Sequence, residues 1–171
     1  MKNRNPVTAI AFLCYGAFLI FLLFDRNPAM SDLPYWEQIR GNCNFIPWHT
    51  VGNYWDVLTR PEYYMEKWEA VSVYRYQATV AAINILGNIV MFVPLGVFLP
   101  VLWAKLQKAW KSILAGFLMI AGVEISQLFT LRGRCDIDDV LLNMLGIILG
   151  YAVWRFYRFC RKKRKKTKGG A

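Results

Sequence analysis

Between Gly122 and Tyr151 the chain reads GVEISQLFTLRGRCDIDDVLLNMLGIILGY. It starts inside one apolar segment, emerges at Leu131–Asp136 and enters a second. On the way it sets down Glu124, Gln127, Arg132, Arg134, Asp136, Asp138, Asp139 and Asn143. Carboxylates and amides inside apolar runs are costly in a bilayer, so an ionisable residue there is a functional-site hypothesis by default. A buried carboxylate such as Glu124 either takes up a proton or pairs with a cation such as Arg134. Two carboxylates in unlike surroundings can divide acid and base roles, making Glu124 with Asp136 or Asp139 the candidate catalytic groups of an enzyme. Asp136, Asp138 and Asp139 also offer oxygen ligands to a divalent cation, though without a full loop motif. No other cofactor is expected.

Other chemistries find little footing. Cys14 lies in an apolar run and Cys160 in a basic tail, neither with a histidine nearby, and the lone His49 follows Pro47-Trp48 in a polar segment. Cys43 and Cys135 fall on the same side of the membrane in the topology below, so they either pair or remain thiols. The chain has no phosphate loop, dinucleotide motif or internal repeat.

Positioning such residues requires a membrane frame. The 171 residues are 56% hydrophobic and 19% charged, with the apolar residues in long blocks. Blocks of about 18 or more read as membrane spans. We expect an all-α integral membrane protein, one domain over 1–171. It is a four-helix transmembrane bundle with spans at about 7–24, 79–103, 113–130 and 140–156 and a basic tail at 157–171. The first run is read as an uncleaved span, since no small-x-small site ends it. A proline kink is expected at Pro94. Gly146 and Gly150, four apart, suit close helix packing.

Residues 25–77 hold seven acidic and five basic residues with Trp36, Trp48, Trp55 and Trp68, suiting an aromatic-rich layer at the membrane–water interface. A short helix there opens with Pro61 at its first position. The net charge of +10 is concentrated, with nine of the 21 basic residues at position 155 or beyond. Beside a span such a tail fixes topology and meets anionic lipid heads, so a nucleic-acid partner is not expected. The N-terminus, the 104–111 turn and the tail hold 14 basic residues and no acidic one. The positive-inside rule therefore puts both termini in the cytoplasm and 25–77 outside.

In that topology Glu124 lies about six residues, roughly 9 Å, below the outer end of its span. Gln127 is one turn nearer the outside, and Asp139 and Asn143 begin span four. Asn84 and Asn88, on one face of span two, reach comparable depth, with Arg132 and Arg134 just above. The expected site therefore gathers Asn84, Asn88, Glu124, Gln127, Arg132, Arg134, Asp136, Asp139 and Asn143 in one outward-opening chamber. The plainer reading is a hydrogen-bond cluster tying the helices together.

At these residues the chain resembles the VanZ-like family of small bacterial membrane proteins. The matching pieces are NFIPW at Asn44–Trp48, NIVMFVPLG at Asn88–Gly96, EISQ at Glu124–Gln127 and DIDDVLLNMLGIILGY at Asp136–Tyr151. The resemblance implies that Asn88, Pro94, Gly96, Glu124, Gln127, Asp136, Asp139, Asn143 and Gly146 are family-defining. One departure is that Gly133 stands where the family commonly has arginine, leaving Arg132 or Arg134 to take that role. The family's founding member is associated with low-level resistance to teicoplanin, a lipidated glycopeptide. This implies a cell-envelope role, in a Gram-positive bacterial membrane. Three functions follow as expectations. The first is an outer-leaflet pocket for an amphiphilic or lipid-linked partner, whether a membrane lipid, a wall precursor or a lipoglycopeptide. The second is an intramembrane enzyme acting on a lipid or glycan headgroup. The third, ranked last because inverted repeats are lacking, is a small transporter.

Overall fold

A computed structural model describes residues 6–25 and 32–168. Seven helices and one two-residue bridge pair make up the described chain. They are α1 (Pro6–Phe24), α2 (Tyr35–Gly41), β1 (Cys43–Asn44), α3 (His49–Thr59), α4 (Pro61–Lys67), α5 (Val71–Leu102), α6 (Ala109–Thr130), β2 (Cys135–Asp136) and α7 (Ile137–Lys168). Helices α1, α5, α6 and α7 are long and apolar enough to cross a membrane. The fold is an all-α membrane bundle.

Two of these helices are longer than their apolar runs. Helix α5 begins at Val71 rather than residue 79, and α7 continues through the basic tail to Lys168. At 1.5 Å per residue a 32-residue helix is about 48 Å long, against a hydrocarbon layer of about 30 Å. The first turns of α5 and the last turns of α7 therefore stand clear of the apolar layer at opposite ends of the bundle. Neither Pro94 nor Pro100 ends α5, which runs as helix past both. The α4 helix does open with Pro61 at its first position.

The centre of the bundle is the α5–α7 pair. These two spans run parallel and meet backbone to backbone through glycine. A β-carbon on Gly146 would collide with the Ile89 carbonyl, one on Gly150 with the Val93 carbonyl, and one on Gly96 with the Ile147 carbonyl. Lipid tails are as apolar as leucine, so helices in a bilayer associate through such close packing. Helix α6 runs back antiparallel to α7, with Gly116 against the Ile147 side chain. Phe92, Leu95, Leu99, Ile120 and Ile147 fill the core, and Leu19 and Leu23 join it from α1. Helix α1 is held further by Tyr15, whose hydroxyl donates to the Met91 carbonyl at 2.7 Å, and by Phe12 set edge-on to Trp103. Facing outward are Leu13, Phe18, Phe21, Ile83, Val90, Leu118, Ile125 and Val153, all exposed. Such an apolar belt is stable only against lipid.

Candidate functional site

The start of α7 joins elements that are far apart in sequence. Strands β1 and β2 pair in parallel, Cys43 opposite Cys135 and Asn44 opposite Asp136. The Asp136 carboxylate accepts from Thr50 Oγ1 at 2.6 Å and from Asn44 Nδ2 at 3.2 Å. It also accepts from the Asp138 amide at 2.9 Å, which makes it the N-cap of its own helix. Asp138, two residues on, reaches out of α7 to the beginning of α3. Its carboxylate accepts from the backbone amides of Trp48, Thr50 and Val51 at 2.6, 2.8 and 3.0 Å. A carboxylate satisfies the orphan amides of a helix N-terminus and suits its positive end. That is why Asp138 tolerates 0% exposure. It also holds Trp48 in the left-handed region, at φ 64, a conformation costing a side-chain-bearing residue about 1–2 kcal/mol.

Asp139 turns the other way. It accepts from Asn88 Nδ2 of α5 at 2.6 Å, so the parallel span pair is tied at this end by a short side-chain hydrogen bond. One turn further along α7, Asn143 is 2% exposed, and its Oδ1 has no hydrogen-bond partner among the described residues. On α6, Glu124 is 4% exposed. Gly116 packs on Ile147, so in an antiparallel pair Glu124, two turns further along α6, is level with residues 139–143 of α7. Cys135 shares this neighbourhood. Its thiol is pushed up from the ordinary value, first by burial and then by the negative charges of Glu124, Cys43 and Asp136.

Asn44, Asn88, Glu124 and the Asp136–Asn143 stretch, one from each matching piece, thus lie toward one end of the bundle. A model of the VanZ/LLP1 family matches residues 9–158, most of the chain. The chain belongs to the VanZ/LLP1 family. No curated protein and no solved structure matches it.

In this VanZ/LLP1 protein most of the expected site residues fall into three groups with different contacts. Asp136 and Asp138 bind the segment between α1 and α4. Asn88 and Asp139 tie α5 to α7, with Glu124 and Asn143 buried just below. Gln127 and Arg132 hold α1, the first donating to the Leu23 carbonyl and the second to the Phe24 carbonyl, each at 2.8 Å. Asn84 does not join them; its amide donates to Val80 of its own helix. Arg134 stays at the surface.

The three aspartates are not gathered around one point: Asp136 and Asp138 both turn to Thr50 and its neighbours, while Asp139 turns to Asn88 of α5. Among the described residues no group of three acidic, histidine or cysteine side chains is arranged to hold a metal ion. Cys43 and Cys135 face each other across the bridge as thiols. Sequence reasoning missed Asp138 as a tertiary cap and Thr50 as the hydroxyl partner of Asp136. The Asp-x-Asp opening an apolar run was the available signal for a helix start, but its reach to a distant helix was not in the spacing.

Proposed function

We propose that this VanZ/LLP1 protein is a multi-pass protein of a bacterial, Gram-positive cell membrane with both termini in the cytoplasm. The outer end of its bundle binds the polar head of an amphiphilic or lipid-linked envelope molecule. Binding there lowers susceptibility to lipoglycopeptide antibiotics such as teicoplanin. The observation that carries this reading is Asn143, a buried amide with an unsatisfied oxygen about one helical turn from the level of the buried Glu124. An unmet buried acceptor costs about 1–3 kcal/mol, which a hydroxyl, amide or ammonium donor on the ligand would recover. Asn88 and Asp139 border the same level, and the exposed Arg134 stands above it for an anionic group.

The test pairs two readouts on protein confirmed to be in the membrane. Glu124→Gln and Asn143→Leu are each expected to abolish retention of the co-purified lipid in native mass spectrometry. They should also return teicoplanin susceptibility to that of cells lacking the protein. Unchanged susceptibility in both variants overturns the reading. The enzymatic alternative, with Glu124 and Asp136 or Asp139 as acid and base, has less support. Asp136 is enclosed by Asn44, Thr50 and an amide, and Asp139 is engaged by Asn88. Turnover of a lipid-linked wall precursor by the purified protein would favour the enzyme instead.

A further inference from the structure

At the opposite end of the bundle, away from the site above, a groove of about 790 Å³ runs between the start of α6 and the last turns of α7. Its inner part is apolar, with Ile113 on one wall and Ile148 and Ala152 on the other. Its mouth carries Arg155, Arg158 and Lys162. These three positions are three, four and seven residues apart and so share one face of α7. Helix α6 begins at Ala109, whereas α7 runs on to Lys168, so the cations stand where the apolar layer gives way to water.

One of these cations is held in place. The Arg158 guanidinium donates to Gln107 Oε1 at 2.7 Å and lies 4.9 Å from the Trp154 ring centroid. Gln107 is itself anchored, its carbonyl accepting from the Tyr151 hydroxyl at 2.9 Å. A guanidinium fixed by one donor and a ring face keeps its remaining donors in a rigid fork matched to phosphate. Among the described residues no acidic side chain neutralises this end. No acidic residue occurs from 70 to 123 or from 140 to 171. A basic mouth on an apolar groove between two spans is complementary to a lipid with a charged phosphate head and an acyl chain.

We propose that this groove is a specific site for an anionic glycerophospholipid of the leaflet at that end. Its phosphate is bound by Arg155, Arg158 and Lys162, and an acyl chain lies along Ile113, Ile148 and Ala152. The site shares no residue with the outer-end cluster, so it stands whether or not that cluster binds a ligand.

The experiment is native mass spectrometry of the full chain in mild detergent, titrated with phosphatidylglycerol or phosphatidylcholine of the same acyl composition. One phosphatidylglycerol is expected to be retained about tenfold or more in preference to phosphatidylcholine. The preference should fall to near unity in Arg155→Gln/Lys162→Gln, since each basic residue near the headgroups contributes roughly a fivefold gain in affinity. Both residues are exposed, so the variant should fold, and an unchanged melting temperature checks this. Equal retention of the two lipids overturns the proposal, as does a preference untouched by the double variant. Displacement of the lipid by inorganic phosphate alone would overturn it in favour of a simple anion site. A lipid-free dimer burying the groove would assign it to a second copy of the chain.

Discussion

At Cys135 a single thiol reports on a carboxylate eleven residues away in sequence. Glu124, Cys43 and Asp136 all raise its pKa through negative charge, after the larger effect of burial. The thiolate is the reactive form, so Cys135 should alkylate more slowly than an ordinary cysteine near pH 8.5. Because its folded value is raised, its contribution to stability is complete below the ordinary thiol range and is lost as pH rises through the shifted value. In a chain carrying Cys14→Ser, Cys43→Ser and Cys160→Ser, Glu124→Gln should speed alkylation of Cys135 about twofold or more, read by mass shift over time. No change would mean that Glu124 is uncharged near neutral pH. Asp138 allows a second prediction. Asp138→Asn keeps the shape but removes the charge that three amides share, at a cost of about 2–4 kcal/mol to the docking of α3. Amide hydrogen exchange at residues 48–51 should then quicken while exchange in α5 stays slow.

Helices and their seams were unevenly legible in the sequence. The spans follow from uninterrupted apolar runs, and the glycine pair in α7 foretold close packing, because both signals are local. Gly150 meets the Val93 carbonyl and the Gly96 α-carbon, so Gly150→Ala should lower the melting temperature, with an overpacking cost of about 1–3 kcal/mol. Gly122 has open space around it, so Gly122→Ala should leave the melting temperature unchanged or slightly raised. The ends of α5 and α7 were not legible. Ser72, Tyr74, Arg75 and Gln77 are polar, yet α5 carries them as an unbroken extension of the span. Amides and carboxylates at one depth were foreseeable from counting residues. Their partners were not, since Asn44 and Asp136 are 92 positions apart and Gln127 binds a backbone carbonyl at the end of α1. Side-chain type sets what a group needs, and only the fold decides which neighbour provides it.

The molecule as a whole is polarised. One end carries the acidic start of α7 and the aromatic segment between α1 and α5, the other the basic 104–111 turn and the basic end of α7, where the sequence has no acidic side chain. This asymmetry is the basis for the proposed orientation. A cysteine introduced as Glu62→Cys, at an exposed position of α4, should be labelled by an impermeant maleimide on intact cells. Cys160 should be labelled only after permeabilisation, and the reverse pattern would invert the topology.

The aspartates that seal the outer segment have a consequence for how the protein is made. Asn44, Thr50 and the amides of α3 leave the ribosome some ninety residues before Asp136 and Asp138. In the proposed orientation this segment therefore waits outside, unlatched, while two further spans enter the bilayer. A nascent chain halted after α6 should be cut by external protease between residues 44 and 59, and one extended past residue 150 should resist.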